Sequence, residues 1–107
     1  MKILEKKFDS LGFSFLQIHR ENNYAIYERR YTNSEFKHYE VIKVQSHNGY
    51  EMNGTKYPPS EYYPSANNWG TMGWTCLTKE EAYSKLDKII EVDKTNKSLK
   101  DKQKKNK

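Results

Sequence analysis

The 107-residue sequence is poor in cysteine and in aliphatic residues, and each shortage excludes a class of protein. The one cysteine, Cys76, cannot form an internal disulfide, which excludes a small disulfide-stabilised extracellular scaffold. Hydrophobic residues make up 35% of the chain, the mean hydropathy is -1.12, and no apolar run reaches the roughly 18 residues of a membrane-spanning helix. Residues 1–7 have no apolar stretch of the kind found in secretory signals. We therefore expect a cytoplasmic protein without a membrane partner.

Positive charge is in excess, but it is concentrated at one end of the chain. The sequence holds 19 Lys and Arg against 14 Asp and Glu, a formal net charge of +5. The Lys-rich segment, residues 94–107, contains seven Lys and one Asp and has a net charge of +6, which leaves residues 1–93 at -1. The Lys-rich segment has one apolar residue, Leu99, so burial cannot offset its ordering entropy. We predict a single folded domain over residues 1–93 and a disordered tail over residues 94–107.

Aromatic and branched residues in the first half of the chain predict antiparallel strands. Residues 13–19 and 24–31 flank a turn rich in Asn and predict a hairpin. Residues 36–45 predict a third strand with apolar groups on both faces. Residues 69–77 predict a short fourth strand, in which two glycines indicate a bend or a close backbone approach.

Two helices are predicted, one at each end of the folded part. Leu4, Phe8 and Leu11 recur at helical spacing and favour a short N-terminal helix, with a strand as the alternative. Residues 78–81 form a capping box, and the helix that follows carries an apolar stripe and runs to about Val92. The predicted fold is α+β: a mostly antiparallel sheet of about four strands with the C-terminal helix packed on one face. We expect the core to contain Phe8, Phe13, Phe15, Ile18, Ile26, Val41, Ile42, Val44, Trp74, Ala82, Leu86, Ile89 and Ile90.

The segment between the third and fourth predicted strands is long, rich in turn residues and unusually aromatic. Tyr and Trp supply rigid contact area at a small entropic cost and recur at binding hot spots. Alternatively, the loop folds over the sheet and its aromatic side chains complete the core, a role that suits Trp69 and Trp74 best. Two arginines beside tyrosines in the predicted hairpin could extend the contact surface. The candidate partner-binding residues are Tyr50, Tyr57, Tyr62, Tyr63, Trp69, Arg29 and Arg30.

The polar residues do not indicate a catalytic or metal site. His19, His38 and His47 do not have the spacing of a helical metal motif, and Cys76 has no second cysteine near it. A helix N-terminus after Cys76 could lower the pKa of a thiol, but its place on a strand favours an inert buried thiol. Carboxylates could combine with a histidine in a small nuclease, although no spacing selects such a set. We therefore expect no enzymatic activity and no metal or cofactor.

The run WGTMGW at residues 69–74, followed by LTKEEA and an amphipathic helix, resembles the ending of many small proteins of phages and mobile elements. The run YPPSEYYPS at residues 57–65 is similar in character, so the resemblance covers roughly residues 36–92. It implies an accessory protein that binds a host or phage macromolecule. Residues 69–73 also resemble the signature of WGR domains, which bind nucleic acids and proteins, with Thr71 in place of the arginine.

The sequence as a whole predicts a non-enzymatic binding module. The leading hypothesis is a phage-type accessory protein, acting in the host cytoplasm, that engages a host or phage protein through an aromatic loop over residues 50–69. In the alternative hypothesis, the Lys-rich segment and the aromatic side chains bind nucleic acid. The residues do not indicate an oligomeric state.

Overall fold

The computed structural model describes the backbone of residues 1–105 and the side chains of residues 1–97. The elements along the chain are β1 (Lys7–Ser10), β2 (Phe13–Glu21), β3 (Tyr24–Tyr31), β4 (Lys37–Lys43), β5 (Gln45–His47), β6 (Tyr50–Met52), β7 (Thr55–Tyr57), β8 (Ser60–Tyr62), β9 (Gly73–Cys76) and α1 (Lys79–Lys105). A five-stranded antiparallel sheet in the order β1-β2-β3-β4-β9 forms the centre, and β5-β8 and β6-β7 form two small antiparallel pairs. The α+β class and the helix on one face of an antiparallel sheet are therefore confirmed.

The predicted N-terminal helix is wrong, and the strand alternative is right. Residues 7–10 form β1, which pairs with β2 so that Phe8 lies opposite Phe15. The two rings stack with centroids 4.7 Å apart and an interplanar angle of 11°. Leu11 lies in the turn that follows and is 93% exposed, so it does not share a buried face with Phe8. Burial of Phe8 against the sheet outweighs a helical period of only three residues.

The main sheet has buried side chains on both faces. We call the face that α1 covers the helix face and the opposite face the loop face, because the segment between β4 and β9 covers much of it. The buried cluster of the loop face consists of Phe15, Ala25, Tyr27, Ile42 and Val44. The buried cluster of the helix face consists of Ile26, Val41, Ala82, Leu86 and Ile89. The other predicted core residues, Phe8, Phe13, Ile18, Trp74 and Ile90, are partly buried and pack against these clusters.

Helix α1 begins at the predicted capping box and is longer than predicted. Thr78 Oγ1 accepts a hydrogen bond of 3.1 Å from the N–H of Glu81. The helix continues past Val92, its predicted end, to Lys105, and the Lys-rich segment contains no Gly or Pro to end it. The disorder predicted for residues 94–107 stays a prediction. Residues 106 and 107 lie outside the described residues, and the domain boundary at residue 93 stays a prediction. Within the described part of the chain, no helix is both long and apolar enough to cross a membrane.

The glycine that starts β9 allows an aromatic ring to lie directly on the backbone. A Cβ at Gly73 would stand under 3.0 Å from three ring carbons of Trp69. The Trp69 ring in turn packs against the cluster of the loop face. The close approach predicted for this strand is therefore the contact between the Gly73 backbone and the Trp69 ring.

Gly73→Ala is expected to lower the free energy of unfolding by about 1–3 kcal/mol, because the new methyl group forces the ring out of its seat. Urea unfolding measures the loss, and near-UV circular dichroism in a Trp74→Phe background reports whether the Trp69 ring has moved. Gly70→Ala is the control, since its φ of 93° is strained for alanine but its Cβ would meet no atom within 4 Å. An unchanged Trp69 spectrum in Gly73→Ala would contradict the steric explanation.

Candidate binding surface and cavity

The structure divides the predicted partner-binding tyrosines into an exposed group and a packed residue. Tyr50, Tyr57 and Tyr62 are exposed at 47%, 43% and 46%. Tyr63 is partly buried and packs, together with Trp69, against the cluster of the loop face. Tyr62 and Tyr63 are neighbours among the predicted contacts, yet Tyr62 is exposed and Tyr63 is partly buried.

The exposed tyrosines are linked by one stacked pair and by a histidine that lies near two of the three rings. The rings of Tyr50 and Tyr57 stack across the β6-β7 pair with centroids 4.8 Å apart. His47 lies 5.0 Å from the Tyr50 ring and 6.0 Å from the Tyr62 ring, measured between centroids. We call His47, Tyr50, Tyr57 and Tyr62 the aromatic surface.

Two turns rich in glycine hold the aromatic surface in shape. Asn53 and Gly54 have φ angles of 51° and 80° and close the β6-β7 hairpin, the conformation that the Asn-Gly pair favours. Gly49 has a φ of 94°, and its N–H donates a 3.1 Å hydrogen bond to His47 Nδ1. A Cβ at Gly49 would lie 3.0 Å from the carbonyl oxygen of Tyr57. The local backbone therefore orients the imidazole toward the tyrosines.

A bidentate ion pair joins β8, which carries Tyr62 of the aromatic surface, to β2 of the main sheet. Arg20 on β2 donates hydrogen bonds of 3.0 and 2.7 Å to the two carboxylate oxygens of Glu61 on β8. The N–H of Leu4 donates a third hydrogen bond, of 3.0 Å, to Glu61 Oε1. The hydrogen bonds from Arg20, followed by the one from Leu4, hold the pKa of Glu61 below its usual value. Tyr62 follows Glu61 directly, so this ion pair positions the end of the aromatic surface.

A second ion pair lies on the loop face, with its carboxylate buried and its arginine side chain 21% exposed. Glu40 on β4 is 4% exposed. Its Oε2 accepts a 2.9 Å hydrogen bond from Arg29 Nη1, and its Oε1 accepts a 2.5 Å hydrogen bond from the Tyr63 hydroxyl. Burial, together with the adjacent Glu40 charge, raises the pKa of Tyr63, so the phenol stays protonated and donates. Arg29, predicted to contact a partner, therefore belongs to a partly buried network in the sheet.

The Arg29–Glu40 ion pair forms part of the wall of a cavity of about 370 Å³, which we call the Trp69 cavity. The Arg29 guanidinium lies 4.9 Å from the centroid of the Phe13 ring, the geometry of a cation–π contact. The Trp69 indole N–H donates a 3.0 Å hydrogen bond to Thr75 Oγ1. The lining residues are Ser10, Leu11, Phe13, Phe15, Arg29, Glu40, Tyr63, Ala66, Trp69 and Thr75.

Arg30 lies on the opposite face of β3 from Arg29, because successive side chains alternate along a strand. It pairs with Glu28 at 3.2 Å, and Lys37 joins the same carboxylate at 3.4 Å. The structure therefore does not bring Arg30 to the aromatic surface, which is built on the segment that follows β4. Its side chain is about half exposed, so the ion pair stands in solvent and contributes little to stability.

The side chains that were candidates for a catalytic or metal site do not lie together. Cys76 is partly buried, and burial, followed by the nearby Glu81 charge, raises the pKa of its thiol. His19 packs edge-on to Tyr83 on the helix face, and His38 packs against Phe36 at the end of the sheet. Among the described residues, no three His, Cys, Asp or Glu side chains converge as they would around a metal ion.

The sequence reasoning missed two contributors, His47 and Glu40. A signal existed for Glu40, because a carboxylate in the middle of an apolar strand that is buried on both faces needs a charged partner. Comparison of the chain with protein-family models, with curated proteins and with solved structures gave no match.

Proposed function

We propose that the protein is a non-enzymatic module that binds a protein partner through the aromatic surface. One observation carries the proposal: three tyrosines, each between 43% and 47% exposed, form one surface, in which Tyr50 stacks on Tyr57 and His47 lies between Tyr50 and Tyr62. Tyrosine is enriched among the residues that dominate binding energy at protein interfaces.

The rigidity of the aromatic surface favours a binding role over a solvent-facing one. The rings are already ordered by the Tyr50–Tyr57 stack and by His47, so a partner would immobilise few additional side chains. Ordering a flexible side chain at an interface costs about 0.5–1.5 kcal/mol, and a preformed surface avoids this cost. Met52, which is 56% exposed and two residues from Tyr50 on β6, adds apolar area on the same side of the strand.

From the sequence resemblance of residues 36–92 alone, we further propose a partner of host or phage origin that is met in the cytoplasm. A protein of this kind acts by occupying a surface of its partner and needs no catalytic group. The aromatic surface lies within the resembling segment, so the proposed contact and the proposed class of protein rest on the same residues.

Nucleic-acid binding is the second candidate function. The net charge of +6 on the Lys-rich segment favours it, and Lys94 and Lys97 are exposed on α1. Exposed aromatic rings can also stack on bases. Such binding would weaken steeply with rising salt concentration and would be lost when residues 94–107 are removed.

Affinity capture from cell lysate, with and without nuclease, tests the proposal. We expect capture of a defined protein that survives nuclease treatment and removal of residues 94–107. The triple variant Tyr50→Ala, Tyr57→Ala and Tyr62→Ala should bind this protein at least about tenfold more weakly, which corresponds to a loss of about 1.4 kcal/mol. Binding of the purified partner is then measured by calorimetry.

Two control variants separate contact from folding. Tyr62→Ala alone leaves the Tyr50–Tyr57 stack intact and should still weaken binding. Phe36→Ala with Leu77→Ala removes two side chains that are 58% and 66% exposed and lie outside the aromatic surface, and should leave binding unchanged. A large loss of thermal stability in the triple variant would assign the tyrosines to packing, and loss of capture after nuclease treatment would favour the nucleic-acid function.

A further inference from the structure

We propose that the Trp69 cavity is a second binding site, which takes a neutral planar molecule whose carbonyl oxygen accepts a hydrogen bond from Arg29. The cavity shares no residue with the aromatic surface, so this site is independent of the proposed protein contact. Its volume of about 370 Å³ falls within the roughly 300–1,000 Å³ of small-molecule pockets in proteins.

The walls of the Trp69 cavity favour a flat apolar molecule. Phe13, Phe15, Tyr63 and Trp69 contribute aromatic rings to the lining. The Tyr63 and Trp69 rings are nearly parallel, with an interplanar angle of 19°. Flat walls and a predominantly apolar lining with a few polar groups are typical of pockets that hold planar rings.

The polar side chains that line the cavity have hydrogen-bond donors that no described residue uses. Among the described residues, Arg29 donates one hydrogen bond, from Nη1 to Glu40, and its Nη2 has no hydrogen-bond partner and is not buried, whereas its Nε is buried without a partner. Thr75 already accepts from Trp69, and its hydroxyl proton is available to a ligand. Both Glu40 oxygens accept hydrogen bonds, and the residue is 4% exposed. A ligand that offers an acceptor therefore matches the unused donors of Arg29 and Thr75.

The charge balance of the cavity favours a neutral ligand. The Arg29 cation and the Glu40 anion cancel each other, and Tyr63 is held neutral because burial raises its pKa. A carboxylate ligand would add an uncompensated negative charge beside buried Glu40. An ammonium ligand would lose its hydration beside the like charge of Arg29. Both would pay a desolvation cost that a carbonyl group avoids.

The mouth of the cavity provides access from solvent. Leu11, which is 93% exposed, and Ala66, which is also exposed, belong to the lining. Neither residue belongs to the buried clusters of the sheet. Substitutions at the mouth therefore alter the cavity without removing the Arg29–Glu40 pair.

Three matched probes test the site: benzamide, benzoate and benzylammonium, which share a ring and differ in charge and acceptor. Each is titrated to millimolar concentration while nitrogen–proton NMR spectra follow the Trp69 indole and the Arg29 Nε–H. We expect benzamide to shift both resonances saturably and to bind at least about tenfold more tightly than the other two, the factor expected for one matched hydrogen bond. The Trp74 indole, on the helix face, should not shift.

Cavity variants complete the test. Ala66→Phe fills the mouth and should abolish the benzamide shifts, whereas Ala66→Ser should retain them. An unchanged Trp74 resonance shows that each variant is folded. Retention of binding in Ala66→Phe, benzoate or benzylammonium binding as tightly as benzamide, or the absence of a saturable shift with benzamide, would each overturn the proposal.

Discussion

Replacement of Glu40 by alanine should lower the free energy of unfolding by about 3 kcal/mol, the lower end of the usual cost of removing one partner from a buried ion pair, because the Arg29 side chain is 21% exposed. Arg29 would keep its charge on the loop face with the Nη1–Oε2 bond of 2.9 Å lost. The Tyr63 hydroxyl would lose its acceptor as well. Solvent compensates the Arg29 charge in part, whereas the Tyr63 hydroxyl is left as an unpaired, largely buried donor, and the two losses add to each other.

Urea unfolding followed by far-UV circular dichroism measures this loss, and a double-mutant cycle separates its causes. Arg29→Met combined with Glu40→Ala removes both charges, so the double variant should be more stable than the sum of the two single losses implies. Glu40→Gln keeps an acceptor for Tyr63 and should cost less than Glu40→Ala. A loss below about 1 kcal/mol for Glu40→Ala would show that the pair is as weak as one in solvent.

Replacement of Glu61 by alanine should lower the free energy of unfolding by about 2–3 kcal/mol. Its carboxylate accepts three hydrogen bonds, two from Arg20 and one from the N–H of Leu4. A hydrogen bond to a charged group contributes about 1.5–3 kcal/mol, but the three bonds share one carboxylate, and the Arg20 and Glu61 side chains are 26% and 12% exposed, so the net loss is about that of one such bond. The variant should also bind the proposed protein partner less tightly, because β8 carries Tyr62.

The pH dependence of the free energy of unfolding in acid provides a second test of the role of Glu61. Its pKa in the folded protein lies below the ordinary value of 4.5, so its stabilising contribution is present above that value. The contribution disappears as the pH falls through the lowered pKa. The stability of Glu61→Gln should therefore fall less steeply than that of the wild type below pH 4.5. Equal slopes in acid would show that the ion pair does not contribute to folding.

Periodicity predicted the elements that have a single buried stripe. The helix face is the best example: Ala82, Leu86 and Ile89 recur at helical spacing and all lie in one buried cluster. The capping box also acts locally, so four residues suffice to place the start of α1. The end of α1 has no comparable signal, since the Lys-rich segment contains neither a glycine nor a proline.

The candidate site was predicted by residue type but not by position. Tyr62 and Tyr63 are neighbours of one type, yet one is 46% exposed and the other donates a hydrogen bond to buried Glu40. Which of two adjacent tyrosines faces the core depends on how β8 is set against the main sheet, and the Arg20–Glu61 pair spans 41 residues to set it. The pairing of Arg29 with Glu40 likewise depends on two strands meeting side by side, which composition does not reveal.

The order of the strands also bears on how this chain meets other chains. The two edges of the main sheet, β1 and β9, are four residues long, whereas the three inner strands have between seven and nine residues. Short edges leave few unpaired backbone groups, and β1 adds the charges of Lys7 and Asp9. Such edges resist strand addition from a second molecule and so protect against aggregation. Recognition of the proposed partner would then depend on side chains rather than on the backbone of the sheet.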